Sequence, residues 1–242
     1  MRWLAALRTL LFFVGYAAAI VVFSLLGLTV GLLLPHRPRQ LLLTTGNALI
    51  IAWFSLVCGV KVVVSGREHI PSTPFVALSS HQSAWETFYL QRLFCPVSTI
   101  LKRELLRIPF FGWGLALTKP IAIDRSNPRD AMRQVMEQGV ERLQGGNNVL
   151  IYPEGTRMPF GQPGKYARSG AGLAIKAGVP VIPVAHDAGR CWPNDDWVKF
   201  PGTIHVMIGE PLVTEGHDSR QVTEAARQWI AGRLAEVHGP RS

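Results

Sequence analysis

The chemistry of this 242-residue chain is first legible at two residues five apart, His81 and Glu86, in the run Phe75-Val76-Ala77-Leu78-Ser79-Ser80-His81-Gln82-Ser83-Ala84-Trp85-Glu86. On one regular helix, side chains five apart point about 140° away from each other. A histidine that precedes the helix escapes this constraint, because the first turn then carries Glu86 back toward the imidazole. A carboxylate on one ring nitrogen fixes the tautomer and stabilises imidazolium, leaving the other nitrogen to take a proton from a hydroxyl. The pair is then a general base that needs no protein nucleophile. The same residues also fit a capping box, with Ser83 as N-cap and Glu86 reaching back to its amide. Both readings stay open on this segment alone.

A second group lies in Val149-Leu150-Ile151-Tyr152-Pro153-Glu154-Gly155-Thr156-Arg157. Glycine permits close backbone approach to a ligand, threonine offers a hydroxyl, and arginine makes paired contacts with phosphate, so this loop reads as a phosphate seat or as a tight turn with a solvated arginine. Lys102 and Arg103 close another apolar run and suit an anionic headgroup, while Ile108-Pro109-Phe110-Phe111-Gly112-Trp113-Gly114 supplies aromatics for lipid or for a core. Arg125, Arg129 and Arg133 follow, either as a patch for an acidic carrier or anionic lipid or as a solvated face. There is no Gly-x-Ser-x-Gly and no His-Glu-x-x-His, and His186, Asp187 and Cys191 are too loosely spaced to claim a metal site.

These residues need elements to hold them. Short β-branched runs predict strands over Val62–Ser65, Phe75–Ser79, Val97–Leu101, Ile121–Ile123, Val149–Tyr152, Val181–Ala185 and Ile204–Ile208. Helical patterns fall between them near Ala84–Leu93, Asn127–Leu143, Gly170–Ala177 and Ser219–Val237, the second opened by Ser126 and closed by Gly145-Gly146. Such alternation implies an α/β fold, a sheet covered by helices, with function in the loops at the carboxyl ends of strands.

The first 60 residues differ from the rest. They hold four arginines and no acidic residue, and Thr9 to Leu34 is 26 residues without a charge, about 39 Å of helix against a hydrocarbon core of roughly 30 Å. A second apolar run, Leu41 to Val60, follows the polar break His36-Arg37-Pro38-Arg39-Gln40. A spanning hairpin would put Arg37 and Arg39 outside, against the positive-inside tendency, whereas a pair dipping into one leaflet keeps them at the headgroups with Trp3 and Trp53. Both arrangements remain open, and the organisation read here is a membrane-anchoring pair over 1–60 and a catalytic domain over 61–242. Charged residues are 17% of the chain, below the roughly 25% of soluble domains, and the net charge is +9 with a pI near 10.0. A nucleic-acid partner fits that charge but explains neither the apolar 60 residues nor the site, and is excluded. Three widely spaced cysteines, Cys58, Cys95 and Cys191, fit a reducing, cytosol-facing catalytic part.

Taken in order, His81-Gln-Ser-Ala-Trp-Glu86, Lys102-Arg103-Glu104 with Pro109-Phe110-Phe111-Gly112, Tyr152-Pro153-Glu154-Gly155-Thr156-Arg157 and Val179-Pro180-Val181-Ile182-Pro183-Val184 resemble the four blocks of the glycerolipid acyltransferase family. The resemblance covers roughly Lys61 to Pro211 and is closest to bacterial members that acylate 1-acyl-sn-glycerol-3-phosphate. It implies a mixed sheet preceded by a membrane-embedded helix pair at the cytoplasmic face of a bacterial inner membrane. It also implies transfer of a fatty acyl group from acyl-CoA or acyl carrier protein to the sn-2 hydroxyl of lysophosphatidic acid, with no cofactor beyond that thioester. His81 would be the base and Glu86 its orienting carboxylate. Lys102, Arg103, Glu154, Gly155, Thr156 and Arg157 would hold the acceptor, and Pro183 would shape the acyl region. The family's commoner residue at position 86 is Asp, so the longer Glu puts the geometry of the pair in question. Another acceptor, glycerol-3-phosphate or a lyso-aminolipid, and a non-catalytic membrane lipid-binding protein are the alternatives.

Overall fold

The computed structural model describes residues 2–124, 126–162 and 164–238. Seven strands form one sheet in the order β1-β7-β6-β2-β5-β3-β4. Their bounds are β1 Val60–Ser65, β2 Val76–Ser79, β3 Val97–Lys102, β4 Ile121–Ile123, β5 Asn148–Ile151, β6 Val181–His186 and β7 Gly202–Ile208. Every predicted strand is present. From β6 to β4 the neighbours run parallel; β7 pairs antiparallel with β6 and carries β1 parallel to itself. The sheet is therefore mixed, and the carboxyl ends of β2, β3, β5 and β6 share one edge.

The strands alternate between two cores, as the period of two demands. Ala77, Leu150, Ile182 and Val184 face one side, where α1 (Arg2–Leu28), α2 (His36–Cys58) and α3 (Trp85–Leu93) supply Phe12, Ile50, Phe54, Trp85 and Phe88. Val76, Leu78, Val149, Ile151 and Val181 face the other, covered by α5 (Pro128–Gln144), α6 (Ser169–Ala177) and α7 (Ser219–His238). Since β2 is buried on both faces, its Val-Ala-Leu-Ser run lacks the polar alternation of an edge strand. A short α4 (Phe111–Ala116) lies between β3 and β4.

Several boundaries differ from the sequence reading: α2 already begins at His36, inside the polar break before Leu41, and ends at Cys58, so that Val60 opens β1, and the N-cap of α3 is Ala84 rather than Ser83. α5 is opened by Asn127, whose side chain accepts from the Asp130 amide, and not by Ser126, which instead turns its amide and hydroxyl onto Asp124. The first apolar run is helical only to Leu28, then tightens into a 3₁₀ turn over Val30–Leu33 before Pro35. Arg125 lies outside the described residues.

α1 and α2 are long and apolar enough to cross a membrane. They pack antiparallel through small-to-large contacts: Gly15 meets Trp53, Gly46 meets the Phe23 ring and Gly27 meets Leu43. A Cβ on Gly46 would lie 2.6 Å from Phe23 Cγ, so only glycine lets the helices close there. Both helices are also pinned to the sheet domain. Buried Gln40 donates to the carbonyls of Val97 (2.5 Å) and Thr118 (3.2 Å) and accepts from the Val97 amide (2.9 Å). Thr9 Oγ1 accepts from the Lys199 amide at 2.8 Å, and Phe12 stacks edge-on to Phe54 and Trp192. Gly59, at φ 72°, ends α2 in the left-handed conformation and turns the chain into β1.

Candidate active site

His81 leaves the carboxyl end of β2 before α3 begins, and each part of it is held. Its amide donates to Glu154 Oε2 at 2.6 Å, and its carbonyl accepts from the Met158 amide at 2.8 Å. The preceding carbonyl, of Ser80, accepts from buried His186 Nε2 at 2.8 Å. The imidazole stacks on Tyr152, with centroids 4.2 Å apart and planes 18° from parallel. Its Nδ1 lies 2.8 Å from Glu86 Oε1. The longer glutamate reaches the ring from the first turn of α3, so the departure from Asp leaves the pairing intact.

The same Glu86 oxygen accepts from the amides of Gln82 (2.9 Å) and Ser83 (2.8 Å), while Ser83 Oγ accepts from the Trp85 amide at 3.0 Å. One oxygen thus reaches both the Ser83 amide and the imidazole, but the N-cap of α3 is Ala84 and not Ser83, so only the Glu86 half of the expected capping box is present. Burial alone would raise the Glu86 carboxyl, but His186, His81 and the Ser83 amide outweigh it and hold the group below its ordinary range. An ionised Glu86 accepts the Nδ1 proton, so the lone pair sits on Nε2, which has no protein partner among the described residues.

His81 lines a cavity of about 510 Å³. Its walls are mostly apolar, from Ile20 and Phe23 of α1, Leu43 and Ile50 of α2, Phe88 of α3, and Phe111 and Leu115 of α4, with Thr44, Asn47 and Gln91 among them. At the strand edge it is polar, lined by Lys102, Gly155, Thr156, Arg157 and Asn194, and Arg157 Nη1 donates to Asn194 Oδ1 at 3.0 Å. The structure thus gathers His81, Lys102, Gly155, Thr156 and Arg157 on one cavity and Glu86 behind it.

Two expected ligands of the acceptor lie elsewhere. Arg103 begins the 3₁₀ turn after β3, outside the cavity lining, and its guanidinium reaches Gln134 at 3.4 Å. Lys102 ends the strand and Arg103 opens the turn, so the two side chains leave in different directions. Glu154 turns to the His81 amide, and burial pushes its carboxyl up to about 7 against the lowering of the His81 and Gly164 amides. Arg129 and Arg133 lie on α5, which packs on the other face of the sheet, and Arg133 pairs with Asp130 and Glu137. Tyr152, His186 and Asn194 were not legible as site residues; only the position of Tyr152 directly before Pro153-Glu154 hinted at a role.

Proton removal from a hydroxyl without a protein nucleophile, next to walls that suit a fatty chain, is the chemistry of acyl transfer. The chain belongs to the acyltransferase family, whose model, described as Acyltransferase, matches residues 61–187. It is 46% identical over 241 residues to the 1-acyl-sn-glycerol-3-phosphate acyltransferase of Pseudomonas aeruginosa, covering 98% of this chain and 94% of that one. It is 32% identical over 162 residues to the mouse 1-acyl-sn-glycerol-3-phosphate acyltransferase alpha, covering 65% of this chain and 57% of that longer one. The crystal structure of the 1-acyl-sn-glycerophosphate (LPA) acyltransferase of Thermotoga maritima superposes with a TM-score of 0.83 over the whole of both chains at 24% identity, which establishes the shared fold.

Proposed function

We propose that this enzyme transfers a fatty acyl group from an acyl-CoA or acyl carrier protein thioester to the sn-2 hydroxyl of 1-acyl-sn-glycerol-3-phosphate, making phosphatidic acid for phospholipid synthesis. The observation that carries this reading is the His81–Glu86 pair at 2.8 Å on an apolar cavity with a cationic edge. The names of the relatives support the choice of acceptor.

His81 Nε2 takes the proton as the acceptor oxygen attacks the thioester carbonyl carbon. The carbon–sulfur bond then breaks, and the leaving thiolate receives that proton from the imidazolium. Glu86 stabilises the imidazolium and keeps the ring in register, and Tyr152 fixes its plane. Lys102 and Arg157, with Gly155 and Thr156, bind the phosphate, and Glu154 acts indirectly by holding the His81 backbone. The apolar walls take fatty chains, and Pro183 shapes that region from β6. The protein works at the cytoplasmic face of a bacterial inner membrane, with α1 and α2 dipping into one leaflet. In support, the sheet domain touches α1 towards both of its ends, Lys199 and Trp192 at Thr9 and Phe12, and Gly114 and Leu117 at Ser24 and Gly27.

The test is acyl transfer by the purified protein in liposomes, wild type beside His81→Ala. Lysophosphatidic acid, glycerol-3-phosphate and a lyso-aminolipid are each offered with acyl-CoA and with acyl carrier protein. Phosphatidic acid from lysophosphatidic acid, lost by about 100-fold or more in a folded mutant, is the expected result. Preference for another acceptor overturns the substrate, equal rates overturn the base, and lipid binding without turnover leaves a binding protein.

A further inference from the structure

α1 presents two unlike sides. One is buried against the domain; the other, including Trp3, Leu7, Leu10, Val14, Val22 and Leu25, is exposed along the helix. A continuous exposed apolar surface of this length calls for a non-aqueous partner, and exposed apolar residues of the catalytic domain lie near both ends of α1.

At the first turn, Arg2 pairs with Asp196 at 3.0 Å, and the next residue, Trp197, is 52% exposed. Near the last turn, α4 closes on α1 where Gly114 meets Ser24, and the segment leading there exposes Ile108 (44%) and Trp113 (43%), with the Phe110 ring 5.1 Å from the Trp113 indole. Exposed Arg107 precedes this apolar group. From Arg2 to Ser24 the helix rises about 33 Å. Indoles flanked by cations suit the headgroup level, where the ring is half in hydrocarbon and its N–H is wet.

We infer that the Ile108–Trp113 segment and Trp197 are lipid-contacting feet of the catalytic domain, set at opposite ends of α1 and resting on the same leaflet of the bilayer. The inference rests on the membrane placement proposed above and adds contacts from outside the helix pair. If α1 instead crossed the bilayer, about 33 Å would separate the two indoles across a hydrocarbon core of roughly 30 Å, putting them on opposite faces. Contact of the domain with α1 towards both ends argues against that, because a crossing helix would draw the flank of the sheet domain into hydrocarbon.

Spin labels on Trp113→Cys and Trp197→Cys, in full-length protein on vesicles of equal phosphatidylcholine and phosphatidylglycerol, test this by collision with oxygen and with a nickel chelate added outside. Wild type reports any labelling of the native cysteines. A label at Met132→Cys, exposed on α5 over the opposite face of the sheet, is the aqueous reference. Both foot labels are expected to be several-fold less accessible to nickel than the α5 label, more accessible to oxygen, and at matching depth. Nickel accessibility equal to that of the α5 label at either foot, or the two labels on opposite faces, overturns the inference. Because the readout needs no turnover, a protein inactive on every acceptor with both labels shielded would refute the activity while leaving the feet standing.

Discussion

Replacing Glu86 with Gln separates the two duties of that carboxylate. Its carbonyl oxygen can take the place of Oε1 and accept from His81 Nδ1 and from the amides of Gln82 and Ser83, so the cap persists while the charge is lost. The amide nitrogen takes the place of Oε2, which is buried without a hydrogen-bond partner. Unit charges about 4 Å apart interact by about 4 kcal/mol at an effective dielectric of 20, which is about three decades in rate if the transition state carries a full imidazolium. The expected result in a liposome assay is a kcat lower by about 10³-fold and a KM for the acceptor within about twofold of wild type. Ser83→Ala is the complementary change. It removes the acceptor for the Trp85 amide without touching Nδ1, and is expected to cost about 1 kcal/mol of stability with kcat nearly unchanged. A folded Glu86→Gln enzyme within about threefold of wild type would refute the reasoning and reduce Glu86 to a helix cap.

Two further outcomes follow from buried groups away from the base. Gln40→Leu leaves the Val97 amide and the carbonyls of Val97 and Thr118 unpaired, so thermal unfolding is expected about 6–12 °C lower, equivalent to about 3 kcal/mol; an unchanged midpoint would show that this tie is not needed. Glu154, raised by burial from an ordinary 4.5 to about 7, holds a proton in the folded state that the unfolded chain releases, a contribution fully present below about pH 4.5 and lost as pH rises through about 7. Melting temperatures measured between pH 5 and 8 should therefore fall less in Glu154→Gln than in wild type, and parallel curves would contradict this assignment.

The strands were legible because short β-branched runs between turn residues leave few other options, and the His81–Glu86 pairing was legible because the two residues lie five apart across the start of a helix. The rest of the site depends on strand order. Tyr152 comes under the imidazole from β5 and His186 reaches Ser80 from β6, and both contacts exist only because β5 and β6 flank β2 in the sheet. No local pattern encodes that adjacency. Lys102 and Arg103 show the complementary failure, since adjacent cations read as one patch until a strand end sends them in different directions. The choice between cap and orienting carboxylate could not be made from sequence because one oxygen performs both tasks.

The shared core of the helix pair and the sheet also sets a schedule for biogenesis. Phe54 must find Trp192, and Thr9 must find the Lys199 amide, across most of the chain. At roughly 5–20 residues per second of synthesis, about 7–28 s separate the emergence of Phe54 from that of Trp192. During that interval the pair can already engage Phe88, Val97 and Gly114, but Phe12 and Phe54 still lack the indole that completes their cluster. The last strand to be made, β7, follows the Trp192 segment directly, so the core beneath α1 and the sheet are completed at almost the same moment.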